Sequence, residues 1–184
     1  YSAKHENVRH IHYPYINFCL AEQMNYALRT ISEKHSGRME TIYFGVYNAD
    51  SDPSPNTLSV LERMIQKYPN THIFQQSSAF FSNINLFKKN PILAANALRQ
   101  TRWTFLYEIP RYIRDFPDFL NLQHVVSHGL FVRGDILQKV NFFPTDSFGE
   151  DLYLGFILHA FGFKIGPLPV LENSESPSSN WAML

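Results

Sequence analysis

Charge is scarce in this chain. Only 17% of its 184 residues are Asp, Glu, Lys or Arg, against roughly 25% in an ordinary globular domain. The 16 basic and 16 acidic residues cancel. With no basic excess to neutralise phosphates, a nucleic-acid partner is not expected. Cysteine is scarcer still: Cys19 stands alone, which excludes a disulfide framework within the chain and fits a reducing compartment. Long apolar runs are missing as well. The longest, Leu152 to Phe163, is 12 residues, short of the about 20 needed to cross a bilayer, and reads as a buried helix. The polar stretch Tyr1 to Arg9 lacks the basic-then-apolar layout of a signal peptide. Neither an internal repeat nor a low-complexity tract is visible.

Aromatic and aliphatic residues are plentiful. Phe, Tyr and Trp make up 15% of the chain, and hydrophobic residues 45%. That is ample for a core, and it excludes disorder of the whole chain, which needs low hydrophobicity and high net charge.

Patterning along the chain predicts alternating strands and helices. Asn7 to Tyr13 alternates and stops at Pro14, a strand signal. Leu20, Met24, Ala27, Leu28 and Ile31 recur at helical spacing, giving a helix over Leu20 to Lys34. Thr41 to Tyr47 reads as a strand, and Asn48 to Pro53 is turn chemistry. Ser54-Pro55 suits the start of a helix with the stripe Leu58, Leu61, Met64, Ile65 and Tyr68. Thr71 to Phe80 is another strand. Pro91 to Asp115 is an aromatic-rich helical segment interrupted by Pro110. Gln123 to Val132 reads as a strand around Gly129, and Asp135 to Val140 as a short helix. Ser147 to Glu150 fits a capping box opening a helix over Asp151 to Phe161. Phe163 to Val170 is extended, and Asn173 to Asn180 is a loop. This order predicts an α/β fold with a mostly parallel sheet. Ligands then bind beyond the carboxyl ends of strands, which points to residues 48–53.

Three constellations carry candidate chemistry. Asp50 and Asp52, two apart at a strand end, can point the same way. Two hard oxygen ligands suit Mg²⁺ or Mn²⁺ completed by water and phosphate; the same residues also make a plain turn capping the next helix. Glu150-Asp151 opens a helix. Acidic residues there stabilise the helix dipole, and a carboxylate facing a pocket can act as a general base. Ser127-His128-Gly129 places a glycine in a strand pattern, which marks close approach by a ligand or by packed backbone. His10 with His12, and His124 with His128, lack the partners of a metal set. Trp103 and Tyr107 offer either a sugar-stacking surface or core packing. Trp103 to Phe119, with Arg102, Arg111 and Arg114 alongside, is either an interfacial segment or a core-packed helix.

In order, these pieces resemble the GT-A fold of family 2 glycosyltransferases, the group that includes the synthases of cellulose, hyaluronan and chitin. CLAEQMNYALRTISEKHSGRMETIYFGVYNADSDPSPNTLSVLERMI looks like the family's block of Asn-containing helix, strand, Asp-x-Asp turn and Pro-started helix. SHGLFVRGDILQKVNFFPTDSFGEDLYLGFILHAFGFKIGPLP looks like its acceptor-side block, with Val140 to Phe143 at the Gly-Phe-like turn and Gly162-Phe163 opening the last strand. The resemblance covers about residues 10–170. It implies an inverting, metal-dependent transfer of a sugar from a nucleotide-diphosphate donor to a hydroxyl of a glycan or lipid acceptor, with Mg²⁺ or Mn²⁺ as cofactor. Asn25, Asp50 and Asp52 would serve the donor, Asp50 and Asp52 also the metal, His128 and Gly129 the acceptor, and Asp151 with its companion Glu150 the catalysis. It further implies an incomplete GT-A domain over residues 1–172, lacking its first strands, and a linker-like segment over 173–184. Such a domain works in the cytoplasm or at the cytoplasmic face of a membrane, as part of a longer protein whose membrane segments lie outside this chain. Ser176 to Trp181 resembles the lead-in to the Gln-x-x-Arg-Trp motif of processive members. Leu20 stands where the family carries a lysine near the donor phosphates, which favours the alternative of a non-catalytic scaffolding domain. A metal-dependent nucleotidyltransferase is the third reading; the sequence carries no glycine-rich phosphate loop with a basic residue.

Overall fold

A computed structural model describes residues 9–16, 19–115, 124–147 and 149–175. Five strands form one sheet: β1 (Tyr43–Val46), β2 (Ser51–Pro53), β3 (Ile73–Ala79), β4 (Leu130–Arg133) and β5 (Ile165–Ser174). Six α-helices accompany them among the described residues: α1 (Leu20–Lys34), α2 (Thr57–Lys67), α3 (Pro91–Trp103), α4 (Ile109–Asp115), α5 (Gly134–Lys139) and α6 (Glu150–Ala160). The α/β class is therefore as expected. The strand order is β1-β4-β3-β5-β2, and the sheet is mixed. Only the β3–β5 pair is parallel; β1–β4, β3–β4 and β2–β5 are antiparallel. The expectation of a mostly parallel sheet is corrected. The chain enters β4 and β2 from the end at which β1 and β3 finish, so neighbours oppose each other.

The sheet is curled, and chain length shows why. A flat sheet would hold β1 and β2 four strand spacings apart, about 19 Å. Five residue steps separate Val46 from Ser51 and span at most about 18 Å. The two edges must therefore bend toward each other, wrapping the connection around the carboxyl end of β3.

Alternation along the strands builds two apolar layers. Ile73, Leu130, Val132 and Ile165 face a core shared with Leu28 of α1, Ile136 of α5 and Leu154 and Leu158 of α6. Phe74, Phe131 and Leu168 face the other way, onto Leu61 of α2.

Local differences from the sequence reading have local causes. Arg9 to Tyr13 form no strand, and His10 and His12 are neighbours only through ring centroids 6.3 Å apart; residues 7 and 8 lie outside the described chain. α2 starts at Thr57 rather than Ser54, because Ser54 Oγ accepts the Asn56 N–H (3.4 Å) in a tight turn before the helix. Its buried side is Thr57 and Leu61, while Leu58 is exposed. α3 opens on Asn90, whose Oδ1 accepts from Ile92 and Leu93 N–H ahead of Pro91, which needs no donor partner. The helical path continues through Pro110. The ring has no N–H and crowds the carbonyl four residues back, so Thr104–Glu108 widens into a π turn in which the Ile109 N–H reaches the Thr104 carbonyl. α6 has no capping box. Gly149, at φ 91°, precedes it in the left-handed region, and Ser147 Oγ has no hydrogen-bond partner among the described residues; Phe148 lies outside them. β5 runs on through Asn173 and Ser174, two residues into the segment read as linker; Ser176 to Trp181 lies outside the described residues. No helix among the described residues is long and apolar enough to cross a membrane.

Candidate functional site

The central strand changes character along its length. Ile73 and Phe74 are apolar, but Gln75, Gln76, Ser77 and Ser78 follow, and all four are buried. Buried polar side chains need partners, and Gln75 and Ser78 find theirs around the turn Ser127-His128-Gly129 that leads into β4.

Gln75 holds the backbone of that turn. Its Nε2 donates to the His128 carbonyl (2.9 Å), and its Oε1 accepts from the Val126 N–H (2.9 Å). Gln76 meets Gly129, whose N–H donates to the Val46 carbonyl while its own carbonyl accepts from the Gln76 N–H (both 2.8 Å). Gly129 has φ 66°, and a Cβ there would come within 2.7 Å of the Gln76 Cβ. The close approach that requires glycine is thus made by the neighbouring strand. The Gln76 side chain continues outward: Tyr47 OH donates to its Oε1, and its Nε2 donates to Thr57 Oγ1 (3.2 Å). Burial, and then the nearby Glu172 charge, push the Tyr47 phenol up to about 12.

His128 is held by its ring. Nδ1 lies 2.7 Å from Glu172 Oε1 and 2.8 Å from Ser78 Oγ. Ser78 Oγ and Ser174 Oγ each donate to the same carboxylate oxygen, at 2.6 and 2.7 Å. Glu172 is 1% exposed. It reaches this position because β5 bulges: Gln76 pairs with Leu168, but Ser78 pairs with Glu172, so β5 fits extra residues around Pro169 and turns the carboxylate inward. Burial pushes its pKa up, but hydrogen bonds from His128, Ser78 and Ser174, with the charge of His128, outweigh this and leave it below the usual carboxylate value.

Asp151 joins the same turn from α6. Its Oδ2 accepts from the Ser127 N–H (3.1 Å) and Oγ (3.3 Å), and its Oδ1 from the Leu152 N–H (2.7 Å). Glu150, beside it, is partly exposed in the first helical turn.

Asp52 lies on the far edge strand β2, and Asp50 in the turn just before it. Both residues are exposed, with the buried Ser51 Oγ between them. Asp52 is in register with Asn173, and Ser51 with Ser174, immediately beyond Glu172. Topology thus gathers Asp50, Asp52, His128 and Asp151 at one end of the sheet, where β1 and β3 finish. No group of three or more His, Cys, Asp or Glu able to hold a metal exists among the described residues. The donor set offers a divalent ion only two exposed carboxylates, its remaining positions left to water and a ligand's phosphates.

Asn25 stands apart. It is buried in α1, its Nδ2 donating to the Phe143 carbonyl (2.7 Å) and its Oδ1 accepting from the Phe143 N–H (2.9 Å). It clamps a turn in which Asn141 and Phe142 both have positive φ. Arg29 adds a bond to Asn141 Oδ1 (3.1 Å) and sits over the Phe142 ring.

Trp103 and Tyr107 are more than half exposed and stack on each other at 4.7 Å, so packing in the core is overturned for both. Phe105, Leu106 and Ile113 are exposed on the same segment. Gln75, Gln76, Ser78, Glu172 and Tyr47 are the residues that sequence reasoning missed. The available signal was Gln-Gln-Ser-Ser inside a strand that must be central. Comparison with models of known families and with curated proteins finds no match.

Proposed function

We propose that this chain is an inverting glycosyltransferase domain of the family 2, GT-A type. It would move a sugar from a nucleotide-diphosphate donor to a hydroxyl of a polysaccharide, glycolipid or cell-envelope glycan. The observation that carries the reading is Asp151, anchored by Ser127 beside His128 at the carboxyl end of a curled sheet, the same end that Asp50 and Asp52 reach. Asp151 takes the proton of the acceptor hydroxyl. The hydroxyl oxygen bonds to the anomeric carbon as that carbon's bond to the phosphate oxygen breaks, and the nucleoside diphosphate leaves. One base opposite one leaving group gives a single displacement with inversion. Asp50 and Asp52 are the residues that would hold Mg²⁺ or Mn²⁺, which supplies positive charge against the diphosphate. Asn25 acts at a distance, by fixing the 141–143 turn against α1.

Transfer or donor hydrolysis by the full-length protein tests this. Asp151→Asn is expected to lower turnover about 10²–10⁴-fold, the usual contribution of a positioned base. Full turnover in that variant, with metal dependence retained, sinks the assignment. Leu20, half exposed where the family carries a lysine, favours the scaffolding alternative. Calorimetry with Mn²⁺ and a panel of nucleoside diphosphates separates the two, since a scaffold binds none of them.

A further inference from the structure

Glu172 is a buried charge to which the transfer chemistry gives no task. It is almost wholly buried, and one of its oxygens, Oε1, is contacted from three parts of the chain. His128 Nδ1 (2.7 Å) comes from the turn before β4, Ser78 Oγ (2.6 Å) from β3, and Ser174 Oγ (2.7 Å) from β5 itself. Hydrogen bonds to a carboxylate are stronger than neutral ones, and in a buried cluster they reinforce one another.

On one side this cluster reaches the acidic pair. β2 is the edge strand, three residues long, and its neighbour in the sheet is β5. All of it pairs with the stretch Glu172 to Ser174: Pro53 with Glu172, Asp52 with Asn173 and Ser51 with Ser174. Cross-strand partners share a face of a sheet, and so do residues two apart on a strand. Ser51, Ser174 and Glu172 therefore lie on one face, where Ser51 Oγ is buried. The place of β2, and of Asp50 in the turn before it, is set by where residues 172–174 lie.

On the other side the cluster reaches the base. His128 adjoins Ser127, whose N–H and Oγ hold Asp151 Oδ2 (3.1 and 3.3 Å). Two other contacts each steady one side alone. The Phe81 N–H donates to Asn173 Oδ1 (3.1 Å) at the end of β5, and Gln75 holds the backbone of the turn from β3. Glu172 touches both sides.

We propose that Glu172 is a positioning residue that couples the two acidic halves of the site, tying the strand that carries Asp52 to the turn that orients Asp151. The tasks of Asp50, Asp52 and Asp151 rest on the glycosyl-transfer reading; the coupling between their supports stands without it.

Native-state hydrogen exchange of the full chain, read by NMR, tests the coupling. The Ser51 N–H, bonded to the Asn48 carbonyl (3.1 Å), reports on β2 and the turn of Asp50. The Ser127 N–H reports on the hold on Asp151. The Phe143 N–H, bonded to Asn25 Oδ1 (2.9 Å), is the control. Glu172→Gln keeps the size and removes the charge. It is expected to speed exchange about tenfold at both Ser51 and Ser127 and to leave Phe143 as it was. Ser174→Ala keeps the carboxylate and removes one donor level with Ser51. It is expected to act at the same two amides, about threefold, and it decides alone if Glu172→Gln does not fold. A change at one of the two amides, at neither, or by one factor at all three overturns the proposal.

In transfer assays of the full-length protein, Glu172→Gln is expected to lower kcat about tenfold, with acceptor KM within about twofold, and to raise the Mn²⁺ concentration that gives half-maximal turnover. A loss of kcat at an unchanged Mn²⁺ requirement also overturns the coupling. Coupled exchange without any transfer sinks the glycosyl-transfer reading and leaves this inference standing. Transfer with independent exchange at Ser51 and Ser127 does the reverse.

Discussion

Single residues decide the shape of the site, and Gly129 is the clearest case. Its left-handed backbone alone costs a side-chain-bearing residue about 1–2 kcal/mol. A methyl would also collide with Gln76, whose Cβ is fixed on a central strand. Gly129→Ala is expected to destabilise the chain by about 2–4 kcal/mol, strain and overpacking together, as read by denaturant unfolding. If the variant unfolds at the same denaturant concentration as the original chain, the contact is not as drawn. Sequence offered two readings of this glycine, ligand approach and packed backbone, and the neighbouring strand answers for the second.

At the scale of elements, the joint between α1 and the turn after α5 is held by the Asn25 amide, with Arg29 beside it. Asn25 satisfies both polar backbone groups of Phe143, which are separated from it by 118 positions in sequence. Asn25→Ala removes both bonds and strands a buried N–H and a carbonyl, at about 1–3 kcal/mol each. A loss of about 2–4 kcal/mol is expected, with faster hydrogen exchange at Asn141 and Phe142 as the strained turn relaxes. Unchanged exchange there would show that α5 holds its turn unaided. The bulge in β5 plays the corresponding part for Glu172: without it the carboxylate would not reach His128, and the two serines that steady it would face nothing.

The whole molecule carries the pH response. Glu172 has its carboxyl held below the ordinary value of 4.5, and Asp135, hydrogen-bonded to Arg133 at 2.6 and 2.9 Å, has its own held below 3.8. For both, the stabilisation is complete above the unfolded values and is lost as pH falls through the folded ones. Melting temperature is therefore expected to drop as pH falls below about 4.5, and Glu172→Gln to flatten part of that drop. Tyr47 acts at the other end. Its half-buried phenol, raised from 10 to about 12, favours the neutral form, so stability is expected to fall between pH 10 and 12. Tyr47→Phe should lessen that fall; the same alkaline slope in the variant would place the cause elsewhere.

How much of this was legible depends on the range over which each force acts. Helical periodicity located α1 to the residue, because a 15-residue amphipathic stripe is a local signal. An apolar run likewise marked β1, and β3 falls within the strand read over Thr71 to Phe80. The α/β class followed from the order of such pieces. Strand direction did not, since whether β3 lies beside β4 or beside β1 depends on which faces bury best together. Nor did the site's interior. Glu172 reads as an ordinary residue of a proline-broken tail, and Gln75 and Gln76 as defects in a strand. They become partners of His128 and Gly129 only once the sheet curls and β5 bulges, because buried hydrogen bonds join residues that only tertiary packing brings within reach.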